Sequence, residues 1–313
     1  MKLISIHPDF ATARARRWLA FSLIEILVVM AILSFIVVAL MAVFNGTQKA
    51  FRAGLTQTDV LESGRVAMDL MRGDLETMTP SDTPSNTIVN AFTAGSISNN
   101  VNFYVAVLNN PSLPSPFFQN LAGSGQQRTN LLETIFILSR GNINGSQSWV
   151  GTGYTVTNSP DGGWYSLYRF YETTNIITGT PAALYNNFTS IALTNSTFWS
   201  HLMDGVVHLR VRAFDTNGVW MNLPNWQNGQ VATNNVLYFT YTPQFGETGF
   251  YMFSNVVPAT VEIEMGVLED HTLQHAEGLS GSAVTNYLSD QAGQVHLFRQ
   301  RVPIRNVDPT AYQ

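Results

Sequence analysis

At 313 residues the chain can form one large domain or two small ones. Charged residues make up only 12% and hydrophobic residues 45%, which excludes a highly charged disordered chain; a net charge of −5 argues against a general nucleic-acid binder. With no cysteine there is no disulfide, no Cys-ligated zinc, no iron–sulfur cluster and no thiol nucleophile.

The charge is unevenly placed. Residues 1–20 carry Lys2, Arg14, Arg16 and Arg17 against Asp9, and the rest of the chain is acidic. From Ile26 to Phe44 run 19 uncharged, almost wholly apolar residues. As a helix they rise about 28 Å, close to the hydrocarbon thickness of a bilayer. A basic start before an apolar run predicts a single span with the N-terminus in the cytoplasm. Glu25 is the odd residue, because a carboxylate at the edge of a bilayer is costly and usually has a partner. The plainer reading puts it at headgroup depth, near a helix N-terminus that favours negative charge.

The string Leu19-Ala20-Phe21-Ser22-Leu23-Ile24-Glu25-Ile26-Leu27 resembles the processing site of type IV pilins and type II secretion pseudopilins. The resemblance implies cleavage by a prepilin peptidase between Ala20 and Phe21, N-methylation of Phe21, and Glu25 as the fifth residue of the mature chain. Ala20 stands where that family usually has Gly, and Ser22 where it usually has Thr. A signal peptide cut near Val37-Val38-Ala39 and a plain anchor are the alternatives. Neither explains Glu25 at its offset from Phe21.

Past the span, Phe51, Leu55, Val66, Leu70, Leu75 and Met78 fall three or four apart within clusters, which predicts one buried stripe on a continuing helix. Gly46, Gly54, Gly64 and Gly73 weaken that helix by about 1 kcal/mol each relative to Ala. Thr79-Pro80 ends it. The segment Arg65–Leu75 resembles the same helix of the larger minor pseudopilins, the J-type most closely.

Strands are expected at Val101–Leu108, Leu132–Ser139, Trp164–Tyr171, Gly205–Phe214, Val236–Tyr241, Thr260–Leu268 and Val295–Ile304, with turns at Asp161-Gly162-Gly163 and Asp215–Gly218. A short helix is expected near Asp270–Gly278. Leu202–Asp215, running through the turn to Trp220 as the opening of a next strand, and Val257–Glu264 again look J-type. The fold class is α+β: a long N-terminal helix, then a mainly antiparallel β domain, pilin-like. The segments are a leader (1–20), a membrane or filament-core helix (21–44), its amphipathic continuation (45–78) and an extracytoplasmic β domain (79–313).

Catalytic motifs are missing. There is no phosphate loop, no H-E-x-x-H and no G-x-S-x-G, although Gly278–Ser282 comes near the last. His271 and His275 lie four apart, a weak candidate metal pair beside the plainer reading of a solvated helix. Glu262 and Glu264 share a strand face, expected to be exposed, with Arg210, Arg212, Arg299 or Arg301 as cross-strand partners. Asp215-x-Asn217-Gly218 reads as a turn ahead of a calcium loop. Arg299, Arg301 and Arg305 are a slight nucleic-acid signal on an acidic chain.

The resemblance thus implies a non-enzymatic minor pseudopilin or minor pilin that needs no cofactor. Its partners would be the prepilin peptidase, other pilins or pseudopilins, and an inner-membrane assembly platform. It would cross the inner membrane once. The rival reading is a membrane-tethered binding protein or hydrolase acting through the β domain. A 235-residue head is roughly 45 Å across, while helices pack about 8–10 Å apart, so a filament tip suits it better than a shaft.

Overall fold

The computed structural model describes residues 22–81, 100–108, 113, 115–121, 123, 125–143, 145–159, 163–222, 231–232, 235–242, 246–280 and 282–312. The chain divides into two compact units, the boundary falling between Gly54 and Leu55.

In the first unit the only element among the described residues is the start of helix α1, Leu23–Glu76. Every residue from Ser22 to Arg52 whose side chain is described is exposed. One 18-residue window has a mean hydropathy of 3.2, so the helix is long and apolar enough to cross a membrane. The two hydroxyls inside the helical part of this stretch turn back on the helix. Ser34 Oγ donates to the Met30 carbonyl at 2.8 Å, and Thr47 Oγ1 to that of Val43 at 3.0 Å. Neither therefore needs water.

The second unit joins the rest of α1 to a mainly antiparallel β domain. Eight strands form one sheet in the order β7-β6-β5-β4-β1-β11-β10-β9. In chain order these are β1 (Val101–Val107), β4 (Glu133–Ile143), β5 (Ser146–Thr157), β6 (Ser166–Asn175), β7 (Trp199–Met203), β9 (Val231–Ala232), β10 (Val236–Thr242) and β11 (Glu247–Phe253). A three-stranded sheet has the order β13-β12-β8, from Val295–Pro303, Thr260–Leu268 and Val206–Phe214. A hairpin pairs β2 (Phe117–Asn120) with β3 (Gln127–Asn130). The helices are α2 (Pro181–Ser190), α3 (Asp270–Glu277) and α4 (Ser282–Ser289).

The large sheet is buried on both faces. Along β4, Ile135 and Ile137 enter the main core with Met71, Leu75 and strand residues of the small sheet. Their neighbours Phe136 and Leu138 enter a second, aromatic core under α2, with Phe170, Tyr185, Phe188 and Trp199. An unbroken apolar run marks such a strand. Rings meet edge-on there, Phe136 and Tyr185 at 5.4 Å and 83°. The neighbouring β5 has no such run. Its Gly151 and Gly153 leave room for rings: a Cβ on Gly153 would lie 2.4 Å from Phe188 and one on Gly151 3.1 Å from Phe136. Glycine is needed where a ring stacks straight onto a strand backbone.

Three expectations are corrected. The stripe on α1 is Val60, Gly64, Ala67, Met68, Met71 and Leu75; Phe51, Leu55 and Val66 are exposed. Gly64 belongs to this stripe because a Cβ there would sit 2.4 Å from the Phe298 ring of β13. At that point the sheet comes so close that a larger residue does not fit. The helix stops at Glu76, and Met78 instead bridges to Ser139. Trp220 opens no strand within the described residues: it makes one bridge to Phe214, and its ring lies under the Arg212 guanidinium at 4.4 Å. The predicted turn at Asp161-Gly162 lies outside the described residues.

Candidate functional site

Ala20 and Phe21 lie outside the described residues. Glu25 stands in the first turn of α1, where the unpaired N–H groups favour a carboxylate. Its own N–H donates to the Ser22 carbonyl at 3.0 Å and to Ser22 Oγ at 3.3 Å. Ser22 thus caps the helix, and Ser22-x-x-Glu25 has capping-box spacing. The place of Glu25 at a helix N-terminus is the one expected from the sequence, and the Ser22 cap is added by the structure. Glu25 both starts the helix and places a carboxylate at the head of an exposed apolar surface.

Further along α1, within the second unit, Asp74 ties the helix to the large sheet. Arg169 of β6 donates to it twice, Nε to Oδ2 and Nη2 to Oδ1, both at 2.9 Å. The Tyr154 hydroxyl of β5 donates to the same carboxylate at 2.5 Å. Burial, reinforced by the Asp74 charge, pushes the Tyr154 hydroxyl far up, so it stays a donor. Burial alone would lower the Arg169 pKa, but its bond and attraction to Asp74 outweigh this and raise it.

The two sheets meet through buried charge. In register, Glu262 of β12 lies between Arg212 of β8 and Arg301 of β13, and Glu264 between Arg210 and Arg299. These are the partners expected from the sequence, but the face is not open. Glu262 is only 4% exposed, bonded by Arg299 and Arg301, while the large sheet presents Glu133 and Glu247 to Arg210 and Arg212. Arg210 donates to Glu264 at 2.6 Å, Arg212 to Glu247 at 3.2 Å, and the Val211 N–H to Glu133 at 2.5 Å. Burial first, and then the charge of Glu247, push Glu133 well above the usual carboxylate range. Desolvation raises Glu247 too, against the pull of Arg212 and Arg210. For Glu262, the bonds from Arg299 and Arg301 outweigh desolvation and hold it low. His208 lies beside them with Nδ1 accepting from the Leu131 N–H at 3.2 Å. Burial, then Arg210, push its pKa down to about 3, so it is neutral. Sequence reasoning missed Glu133; its signal was one acid inside the apolar run Leu131–Leu138.

The other candidates do not converge. His271 and His275 are exposed on α3, whose Thr272, Leu273 and Ala276 turn inward; the His275 ring meets that of Tyr287 on α4 tilted at 58°, centroids 4.6 Å apart. Among the described residues no group of three His, Asp or Glu could hold a metal ion. Asp215 makes a turn, its Oδ1 accepting from Asn217 N at 2.9 Å and Val219 N at 2.8 Å. A cleft of about 450 Å³ is lined by Ser159, Tyr168, Trp199, His201 and Asp204. There Asp204 Oδ1 takes bonds from Ser166 and from His201, the latter at 2.9 Å. With the carboxylate between hydroxyl and imidazole, His201 is not placed to deprotonate Ser166, as a catalytic triad requires.

Comparison with known protein families, curated proteins and solved structures finds no match for this chain. The chain is therefore defined by its own geometry: an α+β protein whose first helix is able to span a membrane and whose remainder is a mainly antiparallel β domain.

Proposed function

We propose that the chain is a minor pseudopilin or minor pilin, a structural subunit of a type II secretion or type IV pilus-like filament. The observation that carries this reading is α1 itself. One helix, capped by Ser22, begins at Leu23 with Glu25 in its first turn, is apolar and exposed from Ile26 through Phe44, and ends packed on antiparallel sheet. A filament subunit needs those parts in that order: a carboxylate at the head, an apolar surface for membrane and neighbouring helices, and a head domain on the same helix. In the membrane the basic leader lies on the cytoplasmic side, and the β domain on the other. In the filament Glu25 pairs with a cation of a neighbouring subunit, the N-terminal amine of a like chain. An unpaired buried carboxylate would cost several kcal/mol. The size of the head favours the tip, where no subunit stands above to collide with it.

Intact mass of the membrane-extracted protein tests the reading. A chain beginning at Phe21 with one added methyl group is expected. A chain still beginning at Met1 supports the tethered binding protein or hydrolase instead, and one beginning near Leu40 a signal peptide. Glu25→Val should leave insertion and cleavage intact while reducing co-purification with other filament subunits; unchanged co-purification removes the role assigned to Glu25.

A further inference from the structure

The small sheet ends in a strand with an open side. β13 pairs with β12 over nine consecutive residues, Val295 to Pro303, without a bulge. Among the described residues no strand pairs with its other edge. Edges meant to stay unpaired are usually short, bulged, covered, broken by Pro or guarded by charge, and here only the charge of Arg299 and Arg301 is present. This one spans roughly 30 Å, and its one Pro is the last residue.

The charges across the sheet alternate and stop one strand early. The row Arg212–Glu262–Arg301 begins and ends in arginine, and so does Arg210–Glu264–Arg299. On the inner side, Arg210 and Arg212 have Glu264 and Glu247. On the outer side, Arg299 and Arg301 share the single carboxylate of Glu262, at 2.7 and 2.8 Å. Their side chains are each 61% exposed. Arg299 has Glu264 opposite it in register as well, and both guanidiniums remain exposed, open to carboxylates of a partner on that edge. Next along the same face lies Leu297, also exposed, in the row with Gly266 and His208.

We propose that β13 is a docking edge for an extended acidic segment of another protein, which adds to the small sheet as a fourth strand. Run antiparallel, that strand carries carboxylates opposite Arg301 and Arg299 and an apolar residue opposite Leu297. Its pattern is acidic-x-acidic-x-apolar. β12 opposes the same arginines from the inner side with Glu262-x-Glu264, so this sheet already accommodates that pairing. Backbone bonds along the edge supply affinity, and the two arginines supply register and choice of partner. The inference does not depend on the filament reading, since any partner with this strand fits.

The test uses the full-length chain in detergent micelles and a fluorescein-labelled peptide, Ser-Thr-Glu-Val-Glu-Thr-Val-Thr, followed by anisotropy. Saturable binding below 1 mM is expected, weakening at least fivefold between 50 and 500 mM salt. A peptide with both Glu replaced by Lys should bind at least tenfold more weakly. Arg299→Gln and Arg301→Gln, each leaving Glu262 one arginine, should each weaken the acidic peptide at least threefold. Equal binding of acidic and basic peptides, or no saturation at 1 mM, overturns the proposal. Hydrogen exchange on the unmodified chain decides the matter even if a variant fails to fold. Saturating peptide should slow exchange within 295–303 by at least tenfold and leave β8 unchanged. Unchanged exchange in β13 sinks the idea, as does protection confined to another region.

Discussion

Two stretches of α1 solve different problems with the same backbone. From Ile26 to Phe44 the side chains are almost all apolar, and they are exposed on all sides, with Phe35 at 77%. From Val60 to Leu75 the helix is mixed in character, and its inward residues include Gly64, Ala67, Met68 and Met71. A helix that is apolar all round prefers no single side, which suits lipid or a bundle of like helices. A helix on a sheet needs one face shaped to its neighbour, and where the sheet comes close that face is built from small or pliable residues. Hydrophobicity locates the first stretch, and side-chain volume the second.

The strongest way to break this comparison is to damage each stretch alone. Asp74→Ala leaves Arg169 without its carboxylate and Tyr154 without an acceptor. Removing one member of a buried pair costs about 3–5 kcal/mol, and this pair keeps some solvent contact, so the lower end is expected. Chemical denaturation followed by near-UV circular dichroism should show the loss, while membrane association at alkaline pH stays as before. Leu33→Arg should do the converse. It costs about 3 kcal/mol of insertion free energy and moves the chain out of the membrane fraction, with the near-UV signal of the β domain retained. If either substitution damaged both properties, the stretches would not be separate.

The first stretch was legible in the sequence because nothing competes with a long uncharged apolar run. β12 was legible to the residue, since Thr260–Leu268 alternates and ends at a helix start. β4 was legible in part, its apolar run showing only the half that is buried on both faces. What stayed hidden depended on distant partners. β5 was not among the expected strands because its Ser, Thr and Gly residues gave no pattern, yet Gly151 and Gly153 are the floor beneath Phe136 and Phe188. Gly64 read as a weakness of the helix, and only Phe298, far along the chain, makes it a contact. Glu262 and Glu264 were matched with the right arginines, but Glu262 is buried and Glu264 half-buried where an open face was expected, and the further acids on Arg210 and Arg212, Glu133 and Glu247, come from strands the pairing pattern does not reach.

A gentler test sharpens the contrast by asking what the β domain does with buried charge, which the run Ile26–Phe44 lacks altogether. Glu133→Gln keeps an acceptor for the Val211 N–H and removes a carboxylate that burial, then Glu247, push upward. The sign follows from the proton count. With the folded pKa above the ordinary 4.5, the folded state holds the proton more tightly. The wild type is then penalised progressively as pH rises from about 4.5 toward the raised value. The Gln variant should gain about 1 kcal/mol at pH 8, or roughly 2–4 °C in Tm. The gain should fade toward pH 4.5. A variant less stable than wild type at pH 8 would show that the ionised form is held by Arg210 and Arg212.

The smallest expected effects come from two glycines of one helix. Gly73 has nothing within 4 Å of where a Cβ would stand, so Gly73→Ala should show the plain helix-propensity gain of up to about 1 kcal/mol. Gly64→Ala gains the same propensity but drives a methyl group to 2.4 Å from the Phe298 ring. The ring must turn or β13 must move, and overpacking of this kind costs about 1–3 kcal/mol. A net loss near 1 kcal/mol is therefore expected, opposite in sign to Gly73→Ala, in matched urea titrations. Adding Phe298→Leu to Gly64→Ala should restore much of the loss, because the shorter side chain vacates the space the methyl needs. If Gly64→Ala stabilised the chain as Gly73→Ala does, then Phe298 would yield freely. Small size along the inner face of α1 would then reflect tolerance, and the volume-based half of the comparison would fall.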